Sequence, residues 1–102
     1  MKYPITKELI RRFQEVGSQE EVKNPIIICE FFNSTGAGHW FATEYDPIDK
    51  IFFGYVSIFG NECDEWGSFS LAELEEYHGI GGLGIERNLY FTEKPSSEII
   101  KN

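Results

Sequence analysis

The chain has 102 residues, with 17 acidic and 9 basic side chains, which gives a formal net charge of −8 at pH 7. Hydrophobic residues make up 41% of it and charged residues 25%, a composition typical of a globular domain and not of a disordered chain. This length predicts a single domain over residues 1–102, with an ordered core from about residue 5 to 91. No apolar run is long enough to span a membrane and no signal peptide is recognisable, so we expect a cytoplasmic protein without a membrane partner.

The negative charge is concentrated after residue 24. Residues 1–24 hold five basic and four acidic side chains, a net +1, whereas residues 25–102 hold four basic and thirteen acidic ones, a net −9. A surface of this sign repels phosphate backbones, which disfavours direct binding of nucleic acid. It attracts basic surfaces of other proteins. The alternative interpretation is that the acidity serves solubility alone.

The first half of the chain predicts one helix followed by strands. Thr6 is a suitable N-cap, apolar residues then recur at helical spacing to about residue 16, and Gly17 marks the end of the helix. After a polar linker come runs rich in β-branched and aromatic residues, separated by turns that contain glycine or an Asp-Pro pair. We predict strands at residues 26–32, 39–45 and 51–59.

The second half adds a short strand, a helix and a last strand. Residues 66–69 predict the fourth strand, and Ser70 with Glu73 forms a capping box that begins the second helix. Because short turns favour antiparallel pairing, we predict an α+β fold. It has a mostly antiparallel sheet of about four to five strands, an N-terminal helix and a second helix after the fourth strand. The remaining elements are a glycine-rich loop at residues 79–84, a last strand at 85–91 and a loose tail at 92–102.

Both faces of the predicted sheet carry large apolar groups. In the strand 51–59, alternation places Phe53 and Tyr55 on the face opposite to Phe52. In the strand 39–45 it places Glu44 with Trp40 and Ala42, and Tyr45 on the other face. Two arrangements stay open: the helices cover one face each, or one face remains partly exposed as an aromatic and acidic patch that suits a basic protein segment.

Metal and nucleotide sites are disfavoured by residue spacing. The two cysteines and two histidines, Cys29, Cys63, His39 and His78, fit no standard zinc pattern, and Cys29 lies in an apolar run as expected of a buried residue. The glycines of residues 79–84 match G-x-G-x-x-G, yet they follow a helix and precede a strand, the reverse of a dinucleotide-binding loop. We therefore expect no metal and no cofactor.

An enzyme remains the alternative hypothesis. His39, Glu44 and Glu86, together with Asp46 and Glu65, would have to converge in one pocket to act as a small hydrolase or to hold a divalent cation. The chain has no G-x-S-x-G nucleophile signature, so a non-enzymatic role is the leading prediction. A structural subunit or homodimer built through the aromatic face is a third possibility, and the oligomeric state stays open.

Three ordered segments carry a family resemblance: WFATEYDPIDKIFFGYV at residues 40–56, EWGSFSLAELEEYHG at 65–79 and GLGIERNLYF at 82–91. Together they resemble a small bacterial domain family of unknown function that is common on plasmids, conjugative elements and phages. The resemblance covers about residues 6–91. Ser68 stands where the family often has a large aromatic residue, and Asn88 where an aspartate is usual.

The resemblance implies a mobile genetic element as the setting and implies no reaction. In such settings small acidic proteins often occupy a basic surface of a host-defence nuclease or another nucleic-acid-processing protein, an analogy that agrees with the charge of this chain. We therefore expect a partner protein with a basic surface, such as a defence nuclease or a plasmid-maintenance protein. The candidate partner-binding residues are Glu44, Asp46, Asp49, Glu62, Asp64, Glu65 and Trp66.

Overall fold

The computed structural model describes residues 5–58, 64–76 and 84–100. Its elements are α1 (Lys7–Val16), β1 (Ile26–Ile27), β2 (Cys29–Asn33), β3 (His39–Asp46), β4 (Ile51–Ser57), β5 (Glu65–Ser70), α2 (Leu71–Glu76), β6 (Ile85–Arg87), β7 (Lys94–Pro95) and a 3₁₀ helix (Ser96–Glu98). Five strands form an antiparallel sheet in the order β5-β4-β3-β2-β6, and β1 pairs with β7 in a second, two-stranded sheet. The predicted α+β fold with a mostly antiparallel sheet is confirmed.

The start and end of α1 and the start of α2 lie where the local sequence satisfies free backbone groups of the helix. The hydroxyl of Thr6 accepts a hydrogen bond from the N–H of Leu9 at 3.1 Å, and the N–H of Gly17 donates to the carbonyl of Phe13 at 2.9 Å. Gly17 has φ +70°, which glycine adopts without steric cost. At α2 the hydroxyl of Ser70 accepts from the N–H of Glu73 at 3.0 Å, as the predicted cap requires.

Both helices pack on the same face of the sheet, here called the inner face. Phe13 of α1 and Leu74 of α2 belong to one buried cluster with Phe31, Phe52 and Phe69. Phe13 meets Phe52 edge to face at 6.0 Å between ring centroids, and Phe52 stacks on Phe69 at 5.3 Å. The opposite side, here called the outer face, is therefore left without a helix among the described residues. The arrangement in which each helix covers one face of the sheet is wrong.

The first predicted strand is split in two. The residues that we expected to form one strand over 26–32 divide at Ile28, whose N–H donates to the carbonyl of Ala42 at 2.8 Å. On the N-terminal side of this point the chain leaves the large sheet and pairs Ile26 with Pro95 and Ile27 with Lys94. As a consequence, the second helix follows the fifth strand of the chain and not the fourth.

The C-terminal segment is more ordered than the sequence suggested. The last predicted strand, 85–91, ends at Arg87, and the expected loose tail from residue 92 is wrong for residues 94–98, which form β7 and the 3₁₀ helix. Ser96 is buried, and its hydroxyl donates to Oδ1 of Asn24 at 3.1 Å. The N–H of Ser97 donates to the same oxygen at 3.0 Å, so a side chain of the 17–25 linker holds this end in place.

Candidate functional site: the outer face of the sheet

A β-bulge in β3 decides which side chains reach the outer face. The register pairs Ala42 with Gly54 and Glu44 with Phe53, so Thr43 is an extra residue on its strand. From this point the alternation is reversed. Glu44 lies on the outer face beside Phe53, and Tyr45 turns to the inner face, where its ring is 4.4 Å from that of Phe52. Uninterrupted alternation had placed Glu44 on the same face as Trp40 and Ala42, and Tyr45 on the opposite face. Both placements are wrong, because the extra residue Thr43 reverses the alternation.

The bulge is held by a buried glutamine from the linker before β1. Gln19 is 6% exposed. Its Nε2 donates to the carbonyls of Thr43 at 2.9 Å and Ile26 at 3.0 Å, and its Oε1 accepts from the N–H of Ile26 at 2.7 Å. The hydroxyl of Thr43 donates to the carbonyl of Phe53 at 3.1 Å. Because Gln19 and Thr43 are buried, these contacts are costly to lose and fix the position of Glu44.

Three aromatic rings form a cluster on the open part of the outer face. Phe53 and Trp66 stack at 6.2 Å between centroids with an interplanar angle of 14°, and Tyr55 meets Trp66 edge to face at 5.6 Å. Phe53 and Trp66 are each 38% exposed. We call Phe53, Tyr55 and Trp66 the aromatic cluster. Trp40, by contrast, is partly buried against the inner core.

The remaining part of the outer face is covered by the chain itself. The turn that follows β6 brings Phe91 against Phe41 at 6.5 Å between centroids, and Nζ of Lys94 lies 5.0 Å from the centre of the Phe91 ring. The N–H of Asn88 donates to the carbonyl of Glu30 at 2.9 Å. Phe41 is the cross-strand neighbour of Tyr55, so this covered part adjoins the aromatic cluster, which extends over β4 and β5 towards the other edge of the sheet.

Acidic side chains share the outer face with the aromatic cluster and come closest to it where Glu44 pairs with Phe53. The strand positions that share the outer face carry no lysine or arginine in the described parts of β2 to β6, but they carry four carboxylates: Glu30, Glu44, Asp46 and Glu86. Asp64 directly precedes β5 at the end near His39. A partner that covers these rings would therefore meet the carboxylates of Glu44 and Asp46 at one end of the cluster, which favours a positively charged partner.

A groove opens beside the cluster, where the linker 17–25 faces the bulged part of β3. Its volume is about 860 Å³. The outer-face part of its wall contains Thr43, Glu44, Phe53, Trp66 and Ser68, and the linker contributes Glu20, Val22 and Lys23. Apolar rings and carboxylates thus line the same concave surface.

His39 is held by a buried carboxylate that the sequence analysis did not single out. Its Nδ1 is 2.6 Å from Oε2 of Glu30, and Oε1 of Glu30 accepts from Nδ2 of Asn88 at 2.9 Å. Glu30 is 8% exposed, whereas the side chain of His39 is 51% exposed and its ring stacks on Phe41. The arrangement orients the imidazole and leaves its outer edge in solvent.

The three candidate catalytic residues share the outer face without forming one pocket. His39 and Glu86 lie on either side of Phe32, their common cross-strand neighbour. Glu44 is five positions further along β3, about 16 Å from His39 at the rise of a strand. The groove beside Glu44 includes neither His39 nor Glu86.

The candidate partner-binding residues fall into two groups at opposite ends of the sheet. Glu44, Asp46 and Asp49 lie at one end, where Oδ1 of Asp46 also accepts from the N–H groups of Ile48 and Asp49 in the β3–β4 turn. Trp66 lies between the groups, in the aromatic cluster. At the other end are Asp64 and Glu65.

The carboxylate of Asp64 is partly engaged within the protein. Its Oδ2 accepts from the hydroxyl of Ser57 at 2.8 Å, while its Oδ1 is buried without a hydrogen-bond partner. Glu62, Cys63, His78 and most of the glycine loop lie outside the described residues, so the structure describes no position for them.

Among the described residues, no three histidine, cysteine, aspartate or glutamate side chains come together in a way that would hold a metal ion. Nor does any helix in the described ranges have the length and apolar character needed to cross a membrane. Cys29 is buried in the inner core, where burial raises the pKa of its thiol to about 12.

Comparison with known proteins gives one family. The sequence profile described as "Protein of unknown function (DUF2958)" matches residues 3–101, nearly the whole chain. The chain belongs to the DUF2958 family. This match confirms the resemblance to a family of unknown function that the three sequence segments indicated. No curated protein and no solved structure matches the chain.

For this DUF2958 protein, three of the residues named from the sequence, Trp66, Glu44 and Asp46, lie together on the outer face. Gln19 and Glu30 were not named from the sequence. Gln19 lies in a polar linker, and nothing in the local pattern indicates that one amide points inward. Glu30 lies within the apolar run IIICEFF. A charged residue inside such a run is a signal for a paired, buried carboxylate, and it would have pointed to a partner such as His39.

Proposed function

We propose that this DUF2958 protein is a non-enzymatic binding module that docks on a basic surface of another protein through its outer face. The observation that carries the proposal is the aromatic cluster, which is partly exposed on a sheet face without a helix among the described residues and has Glu44 and Asp46 beside it at one end. Large aromatic residues near the centre of an interface provide most of its binding energy, and a charged rim provides selectivity and rapid association.

The charge balance supports a basic partner over a second copy of this chain. The protein carries a net −8, and the described strand positions of the outer face have carboxylates without lysine or arginine. Two such faces repel each other, whereas a basic surface gains electrostatic attraction and loses little on desolvation at the rim. A homodimer built through this face is the alternative that the experiments below exclude or reveal.

The family resemblance supports a setting for the partner. By analogy, small acidic proteins of plasmids and phages often occupy the basic surfaces with which nucleic-acid-processing or host-defence proteins hold phosphate backbones. We therefore propose an inhibitor or accessory factor of such a protein, acting as a competitor for its nucleic-acid site. The role as a competitor is taken from other small acidic proteins by analogy, and it agrees with the net charge of −8 of this chain.

The proposal is tested by capture from a bacterial lysate with four baits: the wild type, Trp66→Ser, Glu44→Lys and the matched control Glu76→Lys. Glu76 is exposed on α2, which packs on the inner face. We expect a basic nucleic-acid-binding protein that is retained at low ionic strength by the wild type and by the control and is lost with both outer-face variants. Retention should fall as salt rises, because the rim charges are screened.

Capture of a protein by the wild type does not by itself support the proposal. Loss of that protein with the two outer-face variants, but not with the control, does support it. A partner bound equally by Trp66→Ser and Glu44→Lys contradicts docking on this face. A partner that stays bound without change at high salt contradicts the proposal that electrostatic attraction contributes to docking. Sedimentation of the wild type at high protein concentration adds a separate check, since a stable dimer that Trp66→Ser dissociates would show that the face is used for self-association.

A second candidate function is favoured by one observation, the Glu30–His39 pair. A buried carboxylate that fixes one nitrogen of a solvent-exposed imidazole is the arrangement by which a general base is oriented. It would support a small hydrolase, with His39 accepting the proton of an attacking water. A panel of ester and phosphodiester substrates tests it: activity in the wild type that is lost in His39→Gln favours this candidate over the binding module.

A further inference from the structure

The groove beside the aromatic cluster combines two features that together select a particular side chain. One wall has the stacked rings of Phe53 and Trp66, and Glu44 lies directly across from Phe53 on the neighbouring strand. Asp46 lies two positions further along the same strand, and Glu20 of the linker lines the same groove. An exposed flat ring pair with a carboxylate at its edge suits a flat cation.

We infer that this groove receives an arginine side chain from the partner. The inference rests on the proposed docking function and names the group that is recognised. The guanidinium group is planar, so it stacks on Trp66 or Phe53 while it forms two parallel hydrogen bonds with one carboxylate. The ammonium group of lysine is a compact, strongly hydrated charge that does neither as well. Glu44 is the carboxylate assigned to the guanidinium.

The volume and surroundings of the groove agree with this assignment. About 860 Å³ accommodates an arginine together with the residues on either side of it in a peptide. Lys23 is the only basic residue that lines the groove in the described part of the chain, against the acidic Glu20, Glu44 and Asp46. An anionic ligand would face this excess of negative charge, so the groove favours a cation.

The test uses the full-length, ¹⁵N-labelled protein titrated with two probes, N-acetyl-arginine methylamide and N-acetyl-lysine methylamide, at equal ionic strength. The indole N–H signal of Trp66 reports on the groove. That of Trp40, which packs against the inner core, is the internal reference. We expect saturable shifts of Trp66 with arginine and none of Trp40, with lysine binding about fivefold more weakly. Glu44→Gln should weaken arginine binding by a similar factor, whereas the control Glu76→Gln leaves it unchanged.

Each other outcome overturns the inference. Equal shifts with arginine and lysine would contradict a preference for the guanidinium group. Arginine binding that is unchanged in Glu44→Gln would contradict the assignment of Glu44 as the carboxylate that binds it. No shift of Trp66 at the highest soluble probe concentration removes the groove as a site. An oligolysine peptide tests the general proposal independently of the arginine site. If the arginine probe fails but oligolysine binds the outer face in a salt-dependent way, docking of a basic partner is supported and the arginine site is contradicted.

Discussion

Gly54 on β4 lies against the backbone of Phe41 on β3 so closely that a side-chain carbon on Gly54 would overlap the Phe41 carbonyl oxygen. The contact occurs next to the bulge, where Ala42 pairs with Gly54 before the register shifts at Thr43. The absence of a side chain at residue 54 therefore lets β3 and β4 approach where the bulge bends the sheet. This close approach supports the turn of Glu44 onto the outer face.

Replacing Gly54 by alanine should consequently destabilise the protein by about 3 kcal/mol or more, because backbone atoms of β3 have to move. The matched control is Gly67→Ala, on the directly opposite position of β5, where an added carbon meets no atom within 4 Å. That variant should change the free energy of unfolding by less than about 1 kcal/mol. Urea denaturation of both variants measures the difference, and equal costs would contradict the close-contact explanation.

Gln19 should contribute far more to stability than its place in a polar linker suggests. Substitution by alanine leaves the carbonyls of Thr43 and Ile26 and the N–H of Ile26 without their partner. We expect a loss of about 2 to 4 kcal/mol, the cost of leaving the buried Thr43 carbonyl and the partly buried groups of Ile26 unsatisfied. The control is Gln14→Ala on the exposed side of α1, with a change within about 0.5 kcal/mol. A Gln19→Ala variant as stable as this control would show that water replaces the amide.

The sequence was most informative where structure is determined by neighbours along the chain. The cap at Thr6, the stop at Gly17 and the cap at Ser70 each depend on residues within one helical turn, and all three are present. Strand alternation was correct for Phe53 and Tyr55 because β4 runs without interruption. The exposed aromatic and acidic patch was one of two arrangements that the sequence left open.

It was least informative where residues far apart in the chain meet. The bulge at Thr43 depends on Gln19 and on the close approach of Gly54, neither of which marks residue 43 in the sequence. Pairing of Lys94–Pro95 with Ile26–Ile27 joins the two ends of the chain, and a two-residue strand has no periodicity to detect. The position of Glu44, on which the proposed site depends, follows from the bulge at Thr43 and could not be predicted from the sequence.

The thiol of Cys29 should be inert in the folded protein. Desolvation on burial raises its pKa from the ordinary thiol value of 9.0 to about 12, with the charge of Arg87 acting in the opposite direction. In the Cys63→Ser background, a thiol reagent at pH 8 should therefore react only after unfolding, because the folded state holds roughly a thousandfold less thiolate. Rapid labelling under native conditions would contradict this.

The same shift gives the sign of a pH effect. Below about pH 9 the Cys29 thiol is protonated in both states, so it makes no pH-dependent difference there. Between about pH 9 and 12 only the unfolded chain releases the proton, and the free energy of unfolding falls as pH rises. Cys29→Ala in the Cys63→Ser background lacks this contribution, so its stability should decline less steeply over that interval in urea denaturation series.

The pairing of Glu30 with His39 should stabilise the outer face measurably. His39→Phe keeps a ring to stack on Phe41 but removes the nitrogen that lies 2.6 Å from the buried carboxylate. We expect it to cost about 1 to 3 kcal/mol, because the buried Glu30 loses its contact with the imidazole while its hydrogen bond from Asn88 remains. Glu30→Gln alone should cost less, since an amide removes the buried charge and still accepts from Asn88.

A double-mutant cycle separates the pair from its surroundings. In the Glu30→Gln background the cost of His39→Phe should fall by about 1 kcal/mol, because the charge that needed the imidazole is gone. The free energies of unfolding of all four proteins, measured by urea denaturation at one pH, give this coupling. Additive costs would mean that the two side chains stabilise the protein independently. In that case the orientation of His39 would depend on its stacking with Phe41, and the argument for an oriented general base would lose its basis.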